Sequence, residues 1–252
     1  MSRYIIDKNK LIENINIIKE KAGVEVIGVV KGNGYGFGMA NLAEILMQNG
    51  IKTFAVTEVY DIPLLRETVL DNDILVMRST CVEEEAKTIA QYDCIATIGS
   101  LSSAEVMDKV SKELGKKTKC HLKIDTGMGR YGFLPSQVES AIKCYDFENL
   151  DFCGAYTHFS SAFHNEQLTK VQLEMFKDTI KQIEKAGKSV GKLHASNSPA
   201  LLNVDGVTLD AVRIGSAFTG RVITKDKNPL NRLGKLEAQV IETKTVPAGY
   251  SI

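Results

Sequence analysis

Between Val24 and Ile214, eight short apolar runs alternate with segments of helical periodicity, and no other feature of this sequence restricts its fold as much. The runs lie near Val24–Lys31, Lys52–Thr57, Asp73–Arg78, Ile95–Ser100, Cys120–Asp125, Phe152–His158, Lys192–Asn197 and Leu209–Ile214. Helical spacing marks Met39–Asn49, Glu58–Val69, Glu83–Tyr92, Ser103–Leu114, Pro135–Cys144 and Glu166–Ala186, leaving only the last crossover without a clear helix. A further helix precedes the first run: Asp7 can cap it, and Leu11, Ile12, Ile15 and Ile18 are spaced to cover one face. Strict β/α alternation implies a parallel sheet whose strands are buried on both faces. Eight units match an α/β fold of the closed (β/α)8 type, a TIM-like barrel. A doubly wound open sheet is the alternative.

The pattern breaks after Phe218. Thr219–Gly234 is polar and loop-like, Lys235–Pro247 alternates like a half-exposed strand, and the sequence closes on PAGYSI. A strand with no evident partner is expected to open a second, mostly β domain that the sequence cuts short. The expected division is residues 1–220 as the barrel and 221–252 as a linker and the first strand of an incomplete C-terminal β domain. Lys+Arg and Asp+Glu both number 31, so net charge gives no drive toward nucleic acid or an anionic membrane, and neither is expected as a partner. No apolar run is long enough to cross a bilayer, and MSRYIIDKNKLIENI has no signal-peptide core, so a cytoplasmic protein is expected. Cys81, Cys94, Cys120, Cys144 and Cys153 are widely spaced and lie mostly in apolar runs, which reads as reduced core residues. Without CxxC or HExxH spacing, no metal site is expected.

A closed barrel of this type carries its active site at the carboxyl ends of the strands, and that is where the unusual polar residues fall. The first run ends in Lys31 and a glycine-rich turn bearing Tyr35. The fifth leads into HLKIDTGMGRYGF, the sixth ends in THFSS, the seventh in HASNS and the eighth in VRIGS. Each piece alone has an ordinary reading. Lys31 could snorkel from a strand end, Asp125 and Thr126 could make a turn, and Arg130 could be a surface residue. His158 could be a satisfied core histidine, Asn197 a helix cap, and Arg213 the partner of a carboxylate. Their convergence on one face favours a single site. A lysine amine suited to a carbonyl, an anion cradle from Asn197, Ser198, Gly215 and Ser216 near the last two strands, and a cation at Arg213 together describe a pyridoxal-phosphate site.

The segments VVKGNGYGFG, KIDTGMGRYGF, THFSS, HASNSPALL and VRIGSAFTG, in this order and spacing, resemble the alanine racemases, pyridoxal-phosphate enzymes of the barrel class. The resemblance spans essentially Ile5 to Ile252. It implies an amino-acid racemase interconverting L- and D-alanine or a related small amino acid, a homodimer in its full-length form, and the D-amino-acid context of cell-wall synthesis. It implies catalytic roles for Lys31, joined covalently to the cofactor and one of two bases, and for Arg130, near the phenolic oxygen and the substrate carboxylate. Cofactor contacts are implied for Tyr35, Asn197, Ser198, Gly215 and Ser216 at the phosphate, His158 at the ring and Arg213 at the pyridine nitrogen. Lys123 is implied as a carbamylated lysine that orients Arg130. A guanidinium that keeps its proton leaves the pyridine neutral and a weak electron sink, which favours quick reprotonation of the α-carbon over elimination or transamination.

Where the family usually has a proline, a branched apolar residue and a tyrosine, this sequence has Ile214, Ser216 and Thr219, changes expected to bear on cofactor packing. The family's second base is a tyrosine of the β domain that reaches the partner subunit's site. Tyr250 stands too early in that motif to take the role, so the counterpart is expected beyond Ile252. Two competing readings are a non-catalytic pyridoxal-phosphate carrier on the same barrel and a pyridoxal-phosphate decarboxylase. Arg130 and Lys123 weigh against the first, and Arg213 weighs against the second.

Overall fold

The computed structural model describes residues 2–250. Strand β1 (Ser2–Ile6) and helix α1 (Lys8–Ala22) precede the barrel. Its parallel strands are β2 (Glu25–Val29), β3 (Thr53–Val56), β4 (Asp73–Ser79), β5 (Ile95–Ile98), β6 (Thr118–Lys123), β7 (Leu150–Tyr156), β8 (Lys192–His194) and β9 (Ala211–Ile214). They pair in sequence order, and β9 returns to β2, so the sheet is closed rather than open. The connecting helices are α2 (Met39–Gln48), α3 (Ile62–Thr68), α4 (Glu83–Gln91), α5 (Leu101–Glu113), α6 (Val138–Lys143), α7 (Glu166–Lys185) and α8 (Ser198–Asn203). The last crossover thus does contain a helix, α8, whose six residues are too few to display a period.

Each barrel strand alternates between two environments. Val26, Phe54, Ile74, Val76, Leu122 and Val212 pack in one cluster with the surrounding helices. Ile27, Val29, Ala55, Leu75, Ile95 and Ala211 form a separate cluster, the apolar part of the barrel interior. At the intervening positions of the later strands stand Thr97, His121, Lys123, Tyr156, His194 and Arg213, all buried. Arg213 Nη1 lies 2.7 Å from His194 Nδ1, and His194 Nε2 lies 2.9 Å from His121 Nδ1. A guanidinium only donates, so His194 carries its proton on Nε2 and passes a hydrogen bond on to His121. Burial, and after it the neighbouring cations, hold His121 at about 3 and His194 well below its ordinary value.

Three expectations change. On α1, Asp7 caps as expected, its carboxylate accepting from the Asn9 and Lys10 amides, but Ile12 is only half-buried. Asn14 is fully buried there beside Leu11, Ile15 and Ile18, and it donates to the carbonyls of Phe218 (2.9 Å) and Asn231 (2.8 Å) and accepts from the Asn231 amide (2.7 Å). The strand expected at 235–247 is shorter, β10 (Gly234–Ala238), and it has a partner: β1, antiparallel, from Ser2↔Ala238 to Ile6↔Gly234. That partner comes from the other end of the chain, where no spacing rule looks. Among the cysteines, Cys94, Cys120 and Cys144 are buried, whereas Cys153 is half-buried and Cys81 is exposed. Among the described residues no helix is long and apolar enough to cross a membrane.

Asn14→Leu keeps the volume but strands two buried carbonyls and an amide, and is expected to lower the unfolding free energy by about 2 kcal/mol in a urea titration. A second prediction concerns acid. His121 and His194 stay neutral in the folded chain, while in the unfolded chain they take up protons below the ordinary value of 6.5. Their stabilisation is therefore complete above that pH and is lost as pH falls, at about 1.4 kcal/mol per pH unit for each histidine. Urea midpoints at pH 7 and pH 5 measure this, and a flat profile would refute it.

Candidate active site

Strand β2 delivers Lys31 to the carboxyl-end face of the barrel, and the chain then makes one left-handed turn. Gly32, Asn33, Gly34 and Tyr35 have φ of 60, 50, 62 and 56°. That conformation costs a residue with a side chain about 1–2 kcal/mol, which glycine avoids. For Asn33 the cost is offset by its Oδ1, which accepts from the Met39 amide at 3.0 Å at the start of α2. The turn throws the Tyr35 hydroxyl back onto Gly215, where any Cβ would collide with it. Burial pushes the Tyr35 phenol up to about 12, so at neutral pH it is a hydrogen-bond donor.

Tyr35, Asn197, Ser198, Gly215 and Ser216 surround a cavity of about 190 Å³ with Lys31, His158 and Arg213, and among the described residues no acidic side chain lines it. Asn197 caps α8 by accepting from the Ala200 amide at 3.0 Å. Ser198 Oγ accepts from the amides of Gly215 (3.2 Å) and Ala217 (3.3 Å), which leaves its own proton to donate. A donor-rich, carboxylate-free pocket suits an anion, and it is small enough to take one phosphate group.

A second cavity of about 260 Å³ shares Lys31, Met77, His158 and Arg213 with the first, so Lys31 stands at their junction. Lys123 and Arg130 also line it. The loop carrying Arg130 is tied by Asp125, whose carboxylate accepts from the amides of Gly127 (2.9 Å), Met128 (2.7 Å) and Arg130 (3.0 Å). Lys123 is 4% exposed, and its Nζ has one hydrogen bond, to the Ile124 carbonyl at 3.2 Å. It forms no ion pair among the described residues. Burial, and next the Arg213 charge, bring its amine down to about 7. The Lys31 amine is lowered too, by burial and then by Arg130, with Glu58 pushing the other way.

Arg213 donates from Nη1 to the His194 carbonyl (3.1 Å) and from Nη2 to the carbonyls of Thr157 (2.7 Å) and Ala195 (3.0 Å). Its Nη2 also lies 3.4 Å from His158 Nδ1. Among the described residues its Nε finds no acceptor, so one N–H remains for a ligand. Burial lowers Arg213 to about 10, which still leaves it charged at neutral pH. Burial, then Arg213, hold His158 at about 2, so it presents a neutral ring.

All ten residues singled out in the sequence line one or both of these cavities. Of the three departures, only Ser216 reaches a cavity. Ile214 packs into the helix-facing core, and buried Thr219 donates to the Ser216 carbonyl at 2.9 Å. The sequence reading missed Thr57, Glu58, Met77, Arg78, Tyr131 and Tyr156, which complete the larger cavity. Tyr156 was within reach, because it lies two positions before His158 on the same strand face. A larger, open cavity of about 810 Å³ lies at the amino ends of the strands, between ion pairs such as Lys119–Asp73. It gathers none of these convergent groups, and size alone does not mark the site.

The chain's similarities to known proteins point to one family. The family model described as "Alanine racemase, N-terminal domain" matches residues 6–222. Alanine racemase from Methanococcus maripaludis is 33% identical over 97% of this chain and 67% of its own length. A crystal structure of Clostridium difficile alanine racemase in complex with cycloserine superposes with a TM-score of 0.88 at 28% identity, over 93% of this chain and 67% of that one. Bartonella henselae alanine racemase, solved with covalently bound pyridoxal phosphate, shares the fold with a TM-score of 0.86 at 24% identity, over 100% of this chain and 70% of that one. This chain spans about two thirds of the length of the curated relatives it matches. A match that runs from before the first helix to past the last barrel strand means that the chain belongs to the alanine racemase N-terminal domain family.

Proposed function

We propose that this chain is the cofactor-binding barrel of a pyridoxal-phosphate-dependent amino-acid racemase that interconverts the L and D forms of alanine or a close relative. The observation that carries this reading is the placing of Lys31 at the junction of an acid-free anion cradle and a cavity that holds Arg130 and Arg213. The donor set fits the cofactor. Tyr35, Asn197, Ser198, Gly215 and Ser216 would hold its phosphate, His158 would lie against its ring, Arg213 Nε would face its ring nitrogen, and Lys31 would carry it covalently. When bound, pyridoxal phosphate supplies a conjugated ring that accepts the electron pair of a broken Cα–H bond.

The chain's own groups supply the rest. Lys31 Nζ, with its proton affinity lowered, removes the α-proton on one face in one direction of the reaction and delivers it to that face in the other, and a second base serves the opposite face. Arg213 donates a hydrogen bond and keeps its proton, since it is held as a cation by its carbonyl acceptors. Arg130, on its Asp125-anchored loop, orients the substrate carboxylate. A bare Lys123 ammonium would repel Arg130. Carbon dioxide added to the neutral amine, with loss of one N–H proton, makes a carbamate that attracts it instead, and we assign this modification to Lys123.

We read residues 1–220 as the barrel and 221–252 as the linker and first strand of a β domain, with β1 completing that strand's pairing. A homodimer of the full-length protein is part of the proposal. Exposed Tyr4, Leu236, Val240 and Ile241 around this small sheet support a surface that becomes covered. Buried, unpaired Cys94, Cys120 and Cys144 suit a cytoplasmic location.

Pyridoxal phosphate added to this chain should give an absorbance band shifted to longer wavelength than that of the free aldehyde, and borohydride should then fix the cofactor's mass to the peptide containing Lys31. Lys31→Ala should abolish both, and a fixed cofactor in that variant would sink the reading. Labelled bicarbonate should give a carbamate carbon signal that Lys123→Ala removes. Because only the unprotonated amine reacts, the signal should grow as pH rises through about 7. Absence of the signal at pH 8 would remove the Lys123 assignment.

A further inference from the structure

The wall of the larger cavity that the anion cradle does not share is built of long ionic side chains. Thr57, Glu58, Arg78 and Tyr131 line it. Glu58 follows β3, Arg78 lies near the end of β4, and Glu85 stands behind them on α4. Arg78 Nη1 and Nη2 donate to the two oxygens of Glu85 at 3.1 and 2.8 Å, and the Thr80 hydroxyl donates to the same carboxylate. A bidentate clasp of this kind fixes the plane of the guanidinium. Glu58 Oε2 then lies 3.7 Å from Arg78 Nε, an atom that is buried and has no hydrogen bond. The carboxylate is thus held at the wall by charge while its lone pairs stay free. Among the described residues, Glu58 is the one acidic side chain lining this cavity.

An acceptor with unused lone pairs in a substrate cavity selects for a donor. Arg78, Arg130 and Arg213 surround the same space, so a further cation is opposed and a neutral donor is favoured. We infer that Glu58, positioned by the Arg78–Glu85 clasp, is a specificity-determining residue that favours serine over alanine in this site. The inference rests on the racemase reading and names a substrate within it. A serine hydroxyl donates to Glu58, whereas the alanine methyl offers the carboxylate no donor. A hydrogen bond to a charged group supports discrimination of about ten- to hundredfold.

The test uses this chain loaded with pyridoxal phosphate and treated with borohydride, which stops turnover so that calorimetry reads binding alone. Serine is expected to bind at least about tenfold tighter than alanine, the lower end of that range. The ratio should fall to near unity in Glu58→Ala and be largely kept in Glu58→Gln, whose amide oxygen still accepts. Equal binding of serine and alanine, a preference that Glu58→Ala leaves in place, or tighter binding of lysine than of serine overturns the inference. If borohydride fixes no cofactor, the racemase reading fails first, before any amino acid is added, and takes this inference with it.

Discussion

The barrel interior is organised around a positive charge that no carboxylate neutralises. Arg213 is buried, and its acceptors are the carbonyls of Thr157, His194 and Ala195 and the imidazole nitrogens of His194 and His158. Taking a guanidinium out of water costs several kcal/mol, and hydrogen bonds to dipoles offset that cost without cancelling the charge. The uncancelled charge then sets the protonation of its surroundings. Beyond the effect of burial itself, Arg213 is the next cause pushing His158, His194 and Lys123 toward their neutral forms. The site can therefore accept negative charge readily and further positive charge hardly at all. That bias belongs to the scaffold, and it is why an anionic cofactor and a carboxylate substrate suit it.

Rigidity around this charge comes from Tyr156. Its ring stacks on His194 at 4.8 Å and 7°, and Lys123 Nζ and Arg213 Cζ each lie 4.9 Å from its centroid. Its hydroxyl lies 3.0 Å from the Met77 carbonyl and 2.9 Å from Thr97 Oγ1, which in turn donates to the Val76 carbonyl. One side chain thus links β4, β5 and β7 and places an aromatic ring beside the Arg213 cation and the Lys123 amine. A phenol fully buried and bonded in this way cannot swing, so the floor beneath Lys123 and Arg213 is fixed before any ligand arrives.

Much of this was legible in the sequence for a specific reason. Eight apolar runs separated by helical periods leave few topologies, and the barrel rule then says which strand ends matter. Lys31, Tyr35, Arg130, His158, Asn197, Arg213 and Gly215 stand out because glycines or a change of polarity punctuate them. His121 and His194 do not, since each alternates with other polar residues along its strand and nothing local shows that its face turns into the barrel. Only the closed barrel brings their rings together. Asn14 was invisible for a similar reason: an asparagine on a helix reads as solvent-facing until a distant loop supplies its carbonyls. The β1–β10 pairing joins residues more than two hundred positions apart, and no local pattern encodes that.

The two walls of the site obey different physics. The anion cradle consists of small side chains, a helix cap and a glycine against which the Tyr35 hydroxyl packs, so its geometry is set by backbone position. A substitution there must move the chain itself. The opposite wall consists of Glu58, Arg78 and Glu85, long side chains at strand and helix ends whose places are set by one another. Changing one of them alters charge and hydrogen bonding while leaving the barrel strands where they are. On the proposed reading, cofactor binding and substrate choice are therefore separable in this fold: the first would be tied to the turn after β2 and the turn after β9, and the second to side chains that the barrel merely carries.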